Sequence, residues 1–278
     1  MLLDLVDVFA SGPLSGNPLA VVRGGDGLDT PAMLALTRWL GFSETTFLLP
    51  PSVPGADYRV RIFYPAGELP FAGHPTLGTA KAWLMAGGVP RTPGRLVQEC
   101  GVGLVEVRME DETLAFRAPP LLRGGPLDAA ERAEAIRVAG VSEDAVVDAI
   151  HACNGPGWRL LRLRSAADVL AARPVAEAPV PTDVGLIGPC DGGDPAHFEL
   201  RAFFADPQGK IVEDPVTGSL NAAAAQYLFA AGLAQDEYVA AQGRCTGADG
   251  RVVLTRDADG AVWVAGAVEM VSQGGVLR

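Results

Sequence analysis

Positive charge is scarce in this chain: 22 Lys and Arg stand against 33 Asp and Glu, a formal net charge of −11. With no basic stripe to neutralise phosphates, nucleic acid and anionic membrane are excluded as partners. A small anionic metabolite is not excluded, because helix N-termini reverse the field inside a pocket without any Lys. Cysteine is thin as well. Cys100, Cys153, Cys190 and Cys245 form no CxxC pair, a spacing poor for a metal and ordinary for reduced thiols in a cytoplasmic protein. No apolar run approaches the length of a membrane span. The opening MLLDLVDVFASG has two acidic residues in its apolar stretch and no basic residue before them. It therefore reads as a strand and not as a signal peptide, and a cytoplasmic location is expected.

Familiar catalytic signatures are missing too. There is no GxSxG elbow for Ser/His/Asp chemistry. Gly73 and Gly78 have the separation of a P-loop, but Lys81 comes too late to follow the second glycine directly. Gly101-Val102-Gly103 lacks the third glycine and the helix of a dinucleotide-binding turn.

What is present is a globular composition, 49% hydrophobic and 20% charged, with room in 278 residues for one large or two ordinary domains. Gly 34 and Pro 22 point to many turns and short strands. Residues 2–9 alternate like a strand and run into SGPLSGNP, with Asn17-Pro18 as a second turn signal. Asp29-Thr30-Pro31 opens a helix that stops at Gly41. Residues 43–49 and 58–64 read as strands, Glu44 lying at the start of the first, and 96–117 as a short antiparallel series. Residues 118–126 are the linker candidate, and Asp128 and Gly140 bracket a helix. Further strands are expected over 157–163, 184–187 and 198–204, with a short helix at 166–172 among them. A long Ala-rich helix over 216–231 then precedes three closing strands. An Ala-rich helix without a polar face is buried all round. The pattern is not the βαβ alternation of a doubly wound sheet; it predicts an α+β protein.

The chain is organised around residues 61–84, RIFYPAGELPFAGHPTLGTAKAWL, and residues 201–224, RAFFADPQGKIVEDPVTGSLNAAA, 140 positions on. Aligned without a gap, Arg61 meets Arg201, Phe63 meets Phe203, Pro75 meets Pro215 and Gly78 meets Gly218, while His74 faces Asp214. This predicts a duplicated domain with two strand–turn–helix units. In each copy a proline and a glycine precede a small hydroxyl residue at the helix entrance, Thr79 and Ser219. Glycine permits close approach to the backbone and the free N–H groups bind an anion, although a plain N-capped helix would use the same residues. His74 and Asp214 are the titratable pair of these turns. Glu44 in SETTF is either a desolvated carboxyl able to take and give a proton, or a salt-bridged carboxylate at a strand end; spacing leaves both open. Glu68 and Glu213 read as turn-ordering residues, and His151 and His197 have no partner pattern.

SGNP, SETTF, FAGHPTLG, NGPGWRLL and EDPVTGS, in this order over nearly the whole chain, resemble the PhzF family of phenazine-biosynthesis-type isomerases. The resemblance implies the diaminopimelate epimerase fold, two similar domains (1–118 and 119–278) each with a sheet curled around a central helix, and an active site in the cleft between them. Whether the last strand returns to the first domain stays open. Carried over position by position, the resemblance makes Glu44 the acid/base and His74 and Asp214 its catalytic partners. Gly73, Pro75, Thr76, Gly218, Ser219 and Asn17 would bind substrate. It implies a proton shift without cofactor or metal, and a homodimer. No cysteine falls in either motif, which argues against two-cysteine epimerisation. After Ser219 the chain reads Leu220-Asn221-Ala222, where some members have Ala-His-Cys, a departure that bears on the substrate more than on the chemistry. A racemase, or a metabolite-binding or protein-interaction module on the same fold, are the alternatives.

Overall fold

A computed structural model describes residues 1–110 and 113–278. The chain divides into two compact units, Met1–Arg117 with Ala265–Arg278, and Ala118–Val264. The last strand, left open by the sequence, thus belongs mostly with the first unit.

The first unit contains β1 (Leu2–Val8), β2 (Asn17–Arg23), α1 (Thr30–Leu40), β3 (Thr45–Leu49), β4 (Tyr58–Tyr64), β5 (Gly67–Leu69), α2 (Gly73–Met85), β6 (Arg95–Cys100), β7 (Gly103–Glu110) and β8 (Thr113–Arg117). The second contains α3 (Ala129–Ala139), β9 (Val146–His151), β10 (Arg159–Leu163), α4 (Ala166–Ala171), β11 (Asp183–Pro189), β12 (Phe198–Ala205), β13 (Ile211–Asp214), α5 (Gly218–Ala230), β14 (Glu237–Gln242) and β15 (Gly250–Arg256). The long strand β16 (Val262–Val276) begins there and ends in the first unit. No helix among the described residues is long and apolar enough to cross a membrane.

In the first unit the strand order is β1-β2-β3-β4-β6-β7-β8-β16, and β16 pairs back onto β1, closing the sheet. Helix α2 touches β1, β2, β3, β4, β6 and β8, so it fills the interior. Gly78 makes this close approach possible, since a β-carbon there would lie 2.5 Å from Leu19 Cδ2. Helix α1 packs outside: Met33 joins Val22, Phe47, Leu49 and Phe63 in one apolar cluster.

The second unit repeats the scheme as β16-β15-β14-β12-β11-β10-β9. Helix α5 takes the interior, with Leu220, Asn221 and the alanines from 222 to 225 fully buried, and Gly185 of β11 makes room for Leu220. Helices α3 and α4 supply an outer cluster around Val138, Leu161 and Leu186. Residues 118–126, expected as a linker, line the gap between β9 and β16: Pro126 and Arg123 bridge Ile150 and Cys153, and Ala118 N–H donates to Val262. Proline-rich chain suits such an edge because it lacks donors the ladder would need.

Both units contain the same parallel steps, β2–β3 and β4–β6 in one, β10–β11 and β12–β14 in the other. The duplication is real, but it is not free of gaps. In the first hairpin Phe63 pairs with Glu68; in the second Phe203 pairs with Glu213. The second hairpin is therefore five residues longer, and everything after it shifts. His74 corresponds to Ser219, each the second residue of its helix, and Asp214 corresponds to Leu69. The matches of Pro75 with Pro215 and Gly78 with Gly218 are coincidences between small-residue runs.

Other local differences follow tertiary pairing. Asn17-Pro18 opens strand β2 instead of a turn, because its partner β1 lies alongside from Val8 onward. Glu44 stands just before β3 and not within it. Pro75, Thr76 and Thr79 lie inside α2, which starts at Gly73.

Candidate active site

The first group of site residues gathers at the N-terminus of α2. Glu44 Oε2 lies 3.5 Å from His74 Nε2, the two side chains being 19% and 6% exposed. Oε2 makes no hydrogen bond among the described residues. Burial pushes the Glu44 carboxyl up to about 6, against a smaller opposing effect of a Ser43 hydrogen bond. A carboxyl so placed changes protonation near neutral pH while facing an imidazole, which is what a proton carrier requires.

The turn that presents His74 is held from below. Thr76 Oγ1 accepts from Gln98 Nε2 at 3.0 Å, and Gln98 Oε1 accepts from the Tyr58 hydroxyl at 3.2 Å. Thr79 donates to the Pro75 carbonyl at 2.7 Å and meets Thr46 Oγ1 at 2.8 Å. Asn17, fully buried, opens β2 opposite Val8. The loop before it is clamped by Asp7, whose carboxylate accepts from Ser15 N at 2.9 Å and Gly16 N at 3.0 Å.

The second group gathers at the N-terminus of α5. Asp214 Oδ2 accepts from Thr217 Oγ1 at 2.6 Å. Ser219 Oγ accepts from Trp158 Nε1 at 3.1 Å, and its carbonyl from Asn154 Nδ2 at 2.9 Å. Gly218 is the first helical residue, as Gly73 is in α2. Thr217, Trp158, Asn154, Gln98 and Gln242 escaped the sequence reading as site-supporting residues. NGPGWRLL carries Asn154 and Trp158 as part of the family resemblance, but nothing in it pointed at Ser219.

Capping separates these two helices from the others. Asp29 caps α1, Asp128 and Glu131 form a capping box on α3, and Ser165 caps α4. Helices α2 and α5 have no side-chain cap, Ala72 and Thr217 being their N-cap residues. Among the described residues nothing accepts from the N–H groups of Gly73, Gly218 or Ser219. Uncapped N-termini hold N–H groups and a positive dipole end for an anion. No cluster of three His, Cys, Asp or Glu among the described residues could hold a metal ion.

Two curled sheets, the first closed by β16, each wound on a central helix, with a buried carboxyl facing histidine at an uncapped helix end, define an epimerase-like isomerase scaffold. The chain belongs to the phenazine biosynthesis-like family, PhzC-PhzF, whose model matches residues 6–274. It is 35% identical over 217 residues to the trans-2,3-dihydro-3-hydroxyanthranilate isomerase of Pseudomonas aeruginosa, covering 77% of this chain and 75% of that one. It is 33% identical over 239 residues to antisense-enhancing sequence 1 of Schizosaccharomyces pombe, covering 80% and 78%. The crystal structure of a PhzF-family phenazine biosynthesis protein from Bacillus anthracis has a TM-score of 0.83 at 23% identity, covering 99% and 98%, and shares the fold. The chain is an isomerase of this family.

Proposed function

We propose that this isomerase shifts a proton on a small carboxylate-bearing metabolite, with Glu44 as the group that takes the proton from one carbon and returns it to another. The observation that carries this reading is the desolvated Glu44 carboxyl, raised to about 6 and set 3.5 Å from His74 Nε2. As carboxylate, Glu44 removes a proton from a carbon next to, or conjugated with, an electron-withdrawing group. The electron pair moves into the substrate's π-system, and the negative charge spreads toward its oxygens. The N–H groups of Gly73, Gly218 and Ser219 stabilise that charge. Protonated Glu44 then delivers the proton to the new carbon, so the step is balanced without a redox group. His74 and Asp214 position the substrate and assist the transfer. Asn17, Pro75 and Thr76 shape the first half of that site.

The relative acting on trans-2,3-dihydro-3-hydroxyanthranilate suggests the first probe. The protein is incubated in D₂O with that compound and with a panel of unsaturated amino and hydroxy acids, and deuterium uptake is followed by NMR. Uptake with a moved double bond, lost in Glu44→Gln, is the expected result. Uptake at a stereocentre with an unchanged skeleton would replace the reading by a racemase. A fully active Glu44→Gln protein would remove Glu44 from the role.

A further inference from the structure

Thr217 stands where a threonine ordinarily caps its helix, yet its hydroxyl makes no cap bond to α5. Gln242, the last residue of β14 and fully buried, accounts for this. Its Oε1 accepts from Thr217 N–H at 3.0 Å and its Nε2 donates to the Asp214 carbonyl at 3.1 Å. Those two main-chain groups cannot exchange roles, so they fix which end of the amide is oxygen and which nitrogen. The second lone pair of Oε1 takes Asn221 Nδ2 at 2.9 Å. The second N–H of Nε2 goes to Thr217 Oγ1 at 2.9 Å. All four hydrogen-bonding positions of the amide are thereby used. The Thr217 hydroxyl, already accepting from Gln242, sends its own hydrogen to Asp214 Oδ2 at 2.6 Å.

The consequence is a directed chain from Gln242 N–H through Thr217 O–H to the Asp214 carboxylate. We propose that Gln242 is a positioning residue that holds the Thr217 hydroxyl on Asp214, aiming that carboxylate while keeping the N-terminus of α5 uncapped for the anionic end of the substrate. The idea rests on reading the uncapped end of α5 as an anion seat. Without Gln242 the hydroxyl is released to cap α5 in the ordinary way, and the N–H groups it satisfies are lost to the ligand. Such a cap takes the N–H of the second or third helical residue, Ser219 or Leu220, both without an acceptor among the described residues. Leu220 N–H stands beside those of Gly218 and Ser219 at the same helix end, so its loss weakens the seat they form.

The test uses the whole protein, labelled with ¹⁵N and with ¹³C at the aspartate carboxyl carbons, in the Gln242→Met, Thr217→Val and Thr217→Ser forms. In Gln242→Met the Asp214 carboxyl resonance moves and hydrogen exchange at Ser219 or Leu220 N–H slows about ten-fold, the size of one hydrogen bond gained. In Thr217→Val the resonance moves without that protection, and Thr217→Ser returns it toward its original position. With a turned-over substrate in hand, Gln242→Met raises KM about ten-fold with a smaller fall in kcat, the mark of lost binding and not of lost proton transfer. An unmoved Asp214 resonance with unchanged exchange at Ser219 and Leu220 in Gln242→Met overturns the proposal. If that variant does not fold, an unmoved resonance in Thr217→Val does the same. These NMR outcomes need no substrate, whereas the functional reading fails separately, on full activity of Glu44→Gln.

Discussion

Arg61 and Arg201 hold the same place in the two units, and their surroundings differ in a telling way. Each reaches across its hairpin to a glutamate, Glu68 or Glu213, and each lies over a phenylalanine ring, Phe63 at 5.0 Å or Phe203 at 4.8 Å. The first pair is partly solvated, at 23% and 38% side-chain exposure; the second is buried, at 5% and 16%. Arg201 also donates to the carbonyls of Val169 and Ala172.

The helix ends diverge further. Strand registers put Glu44 and Asp183 at corresponding positions, since Thr45 pairs with Phe63 and Val184 with Phe203. Burial raises both carboxyls. Glu44 faces His74, whereas Asp183 accepts from Gly157 N at 3.3 Å and lines an open cavity with Arg159, His151 and Glu131. Where the first unit has His74, the second has Ser219, tied by Trp158 and Asn154. A duplicated scaffold has thus kept its hairpin clamp and uncapped helix in both copies. Only in the first copy does the carboxyl before the strand face the second residue of the central helix. In the second copy the histidine–carboxylate pair is His151 with Glu131 of α3, 2.9 Å apart, and Ser219 is held by hydrogen bonds.

The largest test of this contrast is catalytic. Glu44→Gln is expected to slow deuterium uptake by about 10²–10⁴-fold, the usual weight of general acid–base catalysis, and Asp183→Asn by less than about ten-fold. Equal losses in the two variants would break the comparison. Next in size is the clamp. Arg201→Met leaves Glu213 and two carbonyls stranded in the interior and should cost about 3–5 kcal/mol in urea unfolding. Arg61→Met, at the solvated pair, should cost about 1 kcal/mol or less.

A third test concerns pH, with an effect smaller than that of Arg201→Met. Glu44 has its folded pKa raised from 4.5 to about 6, so between those values the folded state binds more protons than the unfolded one. Stability then falls as pH rises through this window and stays lower above it, by up to about 2 kcal/mol. Glu44→Gln should therefore be more stable than the parent at pH 7 and no more stable at pH 4. Activity should rise through the same window, because the base must be ionised to take a proton. Denaturant midpoints at the two pH values decide the first point; parallel curves for parent and variant would show that Glu44 is not held at an unfavourable protonation state.

The sequence carried the strand–turn–helix units, the caps at Asp29 and Asp128, and the residues that meet at Glu44 and His74. It did so because capping chemistry and apolar alternation are local. The correspondence of the copies was misread for a physical reason. Helices built of Ala, Gly and Thr look alike at several offsets, so the five-residue extension of the second hairpin left no mark in a gapless comparison. Strands β2, β5, β9 and β13 are not legible even though each pairs with a neighbour in sequence: Asn17-Pro18 has the composition of a turn, and the other three are too short or too mixed for a period of two to show. Gln242 could not be singled out either: a lone glutamine in a strand has no periodic signature, and its importance comes from four hydrogen bonds to Asp214, Thr217 and Asn221 outside its strand.

The pairing of β16 with β1 ties Leu2 to Val276, and Met1 to Leu277 through two main-chain hydrogen bonds. Synthesis runs from β1 toward β16, so β1 and β8 emerge from the ribosome long before the strand that joins them. Until then the first sheet has two open edges, which invite pairing with other chains. The growing chain should therefore stay protease-sensitive between residues 1 and 117 until β16 is released. Nascent chains arrested before Val262 and probed by limited proteolysis would show it; full protection of the first unit in such chains would mean that the sheet forms without its closing strand.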